Sequence, residues 1–259
     1  MGGDVRYELR GAAAWVIIDH EDQRNALSPE VVAGLHEAIG RIGADDAVRV
    51  AVFTGAGERA FSAGGHLGGM TGEHSRVAQH DARGALVALF RSMQECPTPI
   101  VARVNGHALA GGFGLMLACD LAIAADDAEL GTPEINLGLW PYMISAVIQR
   151  NVPRKIALDM MLTGRRVTAE DAGRWGMVNR VVPRPDLDGA VEAMVTELAS
   201  KSPLILALGK RSFYRSQDMS FEDALAYLHA MLTVNLESED VAEGVNAFLQ
   251  KRSPEWKGR

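Results

Sequence analysis

A strand that empties into glycines and then into a helix is the most restrictive pattern in this chain. Apolar residues Pro99 to Val104 lead into Asn105-Gly106-His107-Ala108-Leu109-Ala110-Gly111-Gly112-Phe113-Gly114, which lead into the helix-competent Leu115-Met116-Leu117-Ala118. The first N–H groups of a helix lack intrahelical acceptors, and the helix dipole adds partial positive charge at that end. Glycine leaves the main chain open to close approach. The pattern predicts an amide-lined anion pocket, although glycines that only let a helix pack tightly on a sheet leave the same trace.

A second loop of the same make, Phe61-Ser62-Ala63-Gly64-Gly65-His66-Leu67-Gly68-Gly69-Met70, follows the strand-like Val48 to Thr54. Two such turns can share one oxyanion. About twenty residues beyond the first loop, Pro133-Glu134-Ile135 places a carboxylate in the apolar-rich segment Gly131 to Trp140. Partial desolvation there would raise its pKa toward values useful in general acid/base work. The plainer reading of a single loop glutamate is a solvated or salt-bridged one.

Short runs at Trp15 to Ile18, Arg49 to Phe53, Ile100 to Val104 and Leu121 to Ala125 read as buried strands. Ser28-Pro29-Glu30 supplies an N-cap, a first-turn proline and an acid, predicting a helix to about Ile42 with Val31, Leu35, Ala38, Ile39 and Ile42 on one face. Beyond about Pro153 the strand pattern fades. Helices are expected over Pro153 to Leu162, Thr168 to Trp175, Leu187 to Ala199, Pro203 to Tyr214 and Phe221 to Leu236, with Thr168-Ala169-Glu170-Asp171 as a capping box. This periodicity fits an α/β core followed by helices and leaves open whether the sheet is doubly wound or spiral.

With 259 residues, 47% of them hydrophobic, the chain can bury a sizeable core. A formal charge of −7 argues against a nucleic-acid binder, which needs a basic field. Cys96 and Cys119 are the only cysteines and have no metal-ligand spacing, so no metal is expected and both thiols are expected reduced and structural. Gly11 to Ile18 reads as a strand rather than a signal peptide. The apolar Ala108 to Cys119 is too short for a membrane span, and Arg6 spoils the myristoylation pattern begun by Met1-Gly2-Gly3. These features predict a cytoplasmic protein without membrane partners.

Together with Arg24-Asn25-Ala26-Leu27-Ser28 near the start and Phe248-Leu249-Gln250-Lys251-Arg252 near the end, the two glycine loops and Pro133-Glu134-Ile135 resemble the crotonase (enoyl-CoA hydratase/isomerase) superfamily over nearly the whole chain. The resemblance implies a spiral of repeated ββα units over residues 1–200 and a helical trimerisation region over 201–259. It also implies an acyl-CoA thioester substrate, no separate cofactor because coenzyme A is part of that substrate, and a homotrimer or dimer of trimers.

Carried over position by position, the resemblance makes the amides of Gly65 and Gly111 the oxyanion donors and Glu134 the catalytic acid/base. Arg24 would approach the CoA phosphates, and Ala63, His66, Trp140 and Tyr142 would contact substrate. His66 stands where related sequences often have aspartate, and a lone loop histidine is more often peripheral. His107 is expected to pack, and Lys210 and Arg211 to be solvated. The second glutamate of the family's hydratases falls on Gly114. Its loss disfavours hydration, whereas one carboxylate suffices to move a proton from C2 to C4 of a 3-enoyl thioester. The bulky Tyr142-Met143-Ile144 after Pro141, where hydratases carry small glycines, points the same way.

Double-bond isomerisation is therefore modestly preferred over hydration or hydration with cleavage by Glu134 alone. A catalytically weak acyl-CoA-binding or assembly subunit is the competing class. Two other motifs fail on context. Gly55-Ala56-Gly57-Glu58-Arg59-Ala60 imitates a dinucleotide fingerprint, and Ala60-Phe61-Ser62-Ala63-Gly64 a nucleophile elbow with Asp120 and His229 as partners, but neither is followed by the required helix.

Overall fold

The computed structural model describes residues 4–65 and 76–259. Its elements in chain order are β1 (Val5–Arg10), β2 (Ala13–Ile18), α1 (Pro29–Ala44), β3 (Val50–Gly55), β4 (Ala60–Ser62), α2 (Arg76–Glu95), β5 (Ile100–Val104), β6 (His107–Leu109), α3 (Gly111–Ala118), β7 (Leu121–Ala125) and β8 (Glu129–Gly131). There follow α4 (Tyr142–Asn151), α5 (Arg154–Thr163), β9 (Arg166–Thr168), α6 (Ala169–Arg174), β10 (Arg180–Val182), α7 (Leu187–Ala199), α8 (Pro203–Ser216), α9 (Phe221–Leu236) and α10 (Glu239–Gln250).

Successive strands go to different sheets. One sheet has the order β1-β2-β3-β5-β7-β10 and the other β4-β6-β8-β9. Each pass of chain thus adds one strand to the large sheet (β3, β5, β7) and the next to the small one (β4, β6, β8), all parallel to their predecessors. A helix or helical turn then carries the chain back, which makes the sheet pair a spiral rather than a doubly wound sheet.

Period-two alternation divides the large sheet's side chains between two cores. Ala14, Val16, Ile18, Ala51, Phe53, Ile100, Ala102 and Val104 face the main core with α1, while Trp15, Ile17, Val50, Val52, Val101 and Ile123 face a second one closed by Leu187, Val191 and Met194 of α7. Burial on both faces explains the near-continuous apolar runs. The Ser28 hydroxyl caps α1 by accepting the Val31 N–H at 3.2 Å, and the expected apolar face is buried.

Two differences from the sequence expectation have clear causes. β9 and β10 lie beyond Pro153, but at three residues each they are too short to carry a period. Lys210, expected in solvent, is buried instead: its Nζ meets Asp120 Oδ2 at 2.7 Å and donates to Thr98 O at 3.1 Å, with a side-chain exposure of only 8%. The Asp120 carboxylate also accepts the Tyr214 hydroxyl (2.7 Å) and the Ile100 N–H (2.7 Å), so this cluster clamps α8 to the sheet. Arg211 is exposed.

The remaining carboxy-terminal helices pack sparingly. α9 buries no residue, and Phe221, Leu225, Leu228, Leu232 and Leu236 are all substantially exposed at helical spacing, as is Phe248 on α10. Among the described residues no helix is long and apolar enough to cross a membrane, and no cluster of His, Cys, Asp and Glu could hold a metal ion. Cys96 and Cys119 are free, buried thiols whose pKa values burial pushes up.

Lys210→Met is expected to lower the free energy of unfolding by roughly 3 kcal/mol, because it strands a carboxylate in a largely buried site. Chemical denaturation checks this; an unchanged midpoint would mean that the clamp contributes nothing.

Candidate active site

Three parallel strands of the small sheet, β4, β6 and β8, end along one edge, with Ser62 opposite Ala108 and Leu109 opposite Gly131. Their continuations are Ala63-Gly64-Gly65, Ala110-Gly111 and Thr132-Pro133-Glu134. Strand pairing alone therefore brings Gly64-Gly65, Ala110-Gly111 and the segment that carries Glu134 to one sheet edge.

The loops meet main chain to main chain. A Cβ on Gly64 would lie 2.6 Å from Ala110 Cβ and 2.8 Å from Gly111 N, and one on Gly111 would lie 3.5 Å from Gly65 N. Gly112 sits so tightly on β4 that a Cβ would come within 2.2 Å of Ser62 O. Gly64 has a φ of +91°; its carbonyl accepts the Leu27 N–H at 2.7 Å and its N–H donates to Ser62 Oγ at 3.2 Å. As the first residue of α3, Gly111 has an N–H with no intrahelical acceptor, and among the described residues neither it nor the Gly65 N–H finds a partner.

Ala110 bears the strain of this arrangement. Its φ and ψ of 51° and −126° suit glycine, not alanine. The ψ angle sets the plane of the Ala110–Gly111 peptide and hence the direction of the Gly111 N–H. The Ala110 N–H, donated to Gly131 O at 2.8 Å, fixes the residue to the end of β8.

Two buried amides hold the loops from behind. Asn25, itself at a positive φ, donates from Nδ2 to Ala56 O (3.0 Å) and Ala60 O (2.7 Å). Asn105 donates to Gly57 O at 2.8 Å and accepts the Gly55 N–H at 3.1 Å. Sequence reading missed Asn105 and assigned Asn25 no task; a polar residue within an apolar-glycine junction is the signal that could have marked them. These bonds occupy the glycines of the apparent dinucleotide fingerprint, which leads into β4 rather than a helix. Ser62 of the apparent nucleophile elbow is fully buried, and Asp120 is committed to Lys210 and Tyr214.

Glu134 lies in the first turn of a 3-10 helix, Pro133–Leu137, closed by Gly138 at φ +72°. Gly164, after α5, lets that turn dock: a Cβ there would meet Asn136 Nδ2 at 2.6 Å and Ile135 Cγ2 at 2.8 Å. Glu134 Oε2 is buried without a hydrogen bond among the described residues, as is Thr132 Oγ1 two residues before it. Desolvation pushes the Glu134 pKa above the ordinary carboxylate value, with a smaller opposing effect from its own main-chain N–H.

The other expected contact residues are dispersed. Arg24 is exposed at φ 54°, with its carbonyl accepting the Ala63 N–H at 3.0 Å, so it is tied to the glycine loop that follows β4. His66 lies outside the described residues. Trp140 packs partly buried against the main core, whereas Tyr142, the first residue of α4, is 80% exposed. His107 packs as expected, its Nδ1 accepting the Glu129 N–H at 3.1 Å. Gly114 is one turn into α3, and a Cβ there would lie 2.2 Å from Ile144 Cγ2.

A family model described as "Enoyl-CoA hydratase/isomerase" matches residues 9–259. Carnitinyl-CoA dehydratase of Proteus mirabilis is 34% identical over the full length of both chains. The mitochondrial enoyl-CoA hydratase domain-containing protein 3 of Xenopus laevis is 34% identical, over 93% of this chain and 82% of its own. An enoyl-CoA hydratase structure from Mycobacterium smegmatis superimposes with a TM-score of 0.93 at 36% identity, covering 98% of each chain.

Because its folded-state pKa is raised, Glu134 contributes stability at low pH that is lost as pH rises through that value. Glu134→Gln is neutral throughout. Its melting temperature is expected to exceed that of the unmodified protein by a margin that grows from pH 4 to pH 8, and a pH-independent margin would contradict the desolvation.

Proposed function

The chain belongs to the enoyl-CoA hydratase/isomerase family, and from that footing we propose that it transfers protons on an acyl-CoA thioester through an enolate. In this reading the N–H groups of Gly65 and Gly111 receive the thioester oxygen as negative charge grows on it, and Glu134 is the acid/base. The observation supporting the proposal is the edge shared by β4, β6 and β8, whose continuations carry two N–H groups without a partner among the described residues and one carboxyl with a buried, unbonded oxygen. Each such donor is typically worth about 10²- to 10³-fold in rate. Arg24 would meet the CoA phosphates; Ala63, His66, Trp140 and Tyr142 are proposed substrate contacts. No cofactor beyond the CoA of the substrate is needed.

Double-bond isomerisation is the preferred reaction. The Glu134 carboxylate removes the C2 proton of a 3-enoyl thioester, the electrons pass into the dienolate, and the same proton returns at C4 to give the 2-enoyl thioester. No atom is gained or lost. Hydration adds water across C2 and C3 and is work that two-glutamate hydratases divide between two acids, one of which is Gly114 here. The names of the hydratase and dehydratase relatives favour hydration by Glu134 alone as the second reading. A weakly catalytic acyl-CoA-binding subunit is separated from both by turnover.

Given matched 3-enoyl- and 2-enoyl-CoA, the protein is expected to isomerise the first faster than it hydrates the second. Glu134→Gln should lose about 10²-fold or more of that activity while still binding CoA. Chromatography with mass detection reads both rates; rapid hydration without C2-to-C4 transfer would overturn the isomerase assignment, and undiminished turnover in Glu134→Gln the catalytic one.

The bare face of α9 supports assembly into a homotrimer or dimer of trimers, since the single chain leaves Phe221, Leu225, Leu228 and Leu232 uncovered. Light scattering is expected to give a mass of three or six chains, and a monomeric mass at working concentrations would refute this.

A further inference from the structure

We propose that Ile144 sets the reaction class of this site by filling the space where a second carboxylate would stand and keeping water from C3 of the acyl group. The proposal rests on the reading of Gly111 and Glu134 as the reacting pocket. It adds to that reading a side chain that excludes water rather than one that moves a proton.

The fit between α3 and α4 is the first support. A Cβ on Gly114 would fall 2.2 Å from Ile144 Cγ2 and 2.7 Å from Ile144 Cβ, and 3.5 Å from Phe90 Cζ on α2. The space beside Gly114 is therefore filled with carbon. Ile144 is 3% exposed and β-branched, so within a helix it has essentially one side-chain conformation and cannot fold away. Ser145 Oγ donates to Pro141 O at 2.7 Å, pinning the start of α4.

Position gives the second support. Gly114 follows Gly111 by three residues, about 4.5 Å along α3, so this apolar wall stands beside the proposed oxyanion donor. An ordered water needs two or more polar partners, which Ile144, Phe90 and the Cα of Gly114 do not offer. Hydration requires a water oxygen to reach C3 while a proton goes to C2; isomerisation requires neither. Phe90, which bounds the space beside Gly114, also lines with Val147 a groove of about 420 Å³ between α2, α4 and α8.

The test compares the unmodified protein with Ile144→Ala, Ile144→Thr, Gly114→Glu and Gly114→Glu/Ile144→Gly on trans-2- and trans-3-hexenoyl-CoA. Product ratio and C2-hydrogen exchange in D₂O are read for variants whose melting curves show that they are folded. Ile144→Ala should raise the ratio of hydration to C2 exchange by about tenfold or more, and Ile144→Thr, which keeps the branched shape but offers a hydroxyl, should raise it as well. Gly114→Glu alone should lose both activities, and the double variant should regain hydration. A ratio within about twofold of the unmodified protein in both Ile144 variants overturns the proposal, as does Gly114→Glu hydrating as fast as the double variant. If the unmodified protein never isomerises yet the Ile144 variants hydrate faster, the isomerase reading falls and the role of Ile144 stands.

Discussion

Contact between two stretches of bare main chain governs this molecule. Gly64 lies against Ala110 and Gly111 with no room for a side chain, and Gly112 presses on the carbonyl of Ser62. That closeness requires β4, β6 and β8 to run parallel and end together, which in turn requires the chain to alternate between two sheets on every pass. The large sheet, buried on both faces, is the rigid body on which the alternation is hung. The buried amides of Asn25 and Asn105 satisfy the carbonyls and N–H groups that such tight turns leave over.

Strain and burial at the strand edge have the same physical source. Ala110 is kept at an unfavourable φ because its N–H is bound to Gly131 and its carbonyl accepts the Gly114 N–H at 3.1 Å, so neither neighbouring peptide can rotate freely. Glu134 keeps a desolvated oxygen because the 3-10 turn is wedged against α5 through Gly164. Each local cost is held in place by packing that belongs to a different element. Such over-determination is what a preorganised electrostatic site requires.

Several elements long enough to show a period were legible in sequence, although α2, α4 and α10, at 20, 10 and 12 residues, were given no bounds there. Ile100–Val104 and Leu121–Ala125 are strands with the expected bounds, and Leu187–Ala199 and Phe221–Leu236 are helices with theirs. The three-residue strands that build the candidate site were not, because three residues show no alternation and glycine neighbours mask them. The loops and Glu134 could be picked out by composition and by family resemblance, but their convergence is a property of strand order. Lys210 was misread for a related reason: nothing local announces an ion pair with Asp120, ninety residues away. The fit of Ile144 to Gly114 was equally hidden, since a glycine does not declare what fills the space beside it.

The reliance on bare main chain at Gly64, Gly111 and Gly112 changes what mutational scanning of this chain would report. At Gly64 or Gly112 even a methyl group intrudes on neighbouring backbone, so replacement there registers as lost protein rather than lost chemistry. At Gly111 the peptide N–H survives almost every substitution, and a donor that is part of the polypeptide link cannot be deleted by changing a side chain. A scan scored on activity per folded molecule would therefore be blind to a main-chain donor at Gly111, whatever it reported at Glu134. Replacing individual amide links by esters, which removes one N–H and leaves every side chain in place, is the perturbation matched to a pocket of this construction.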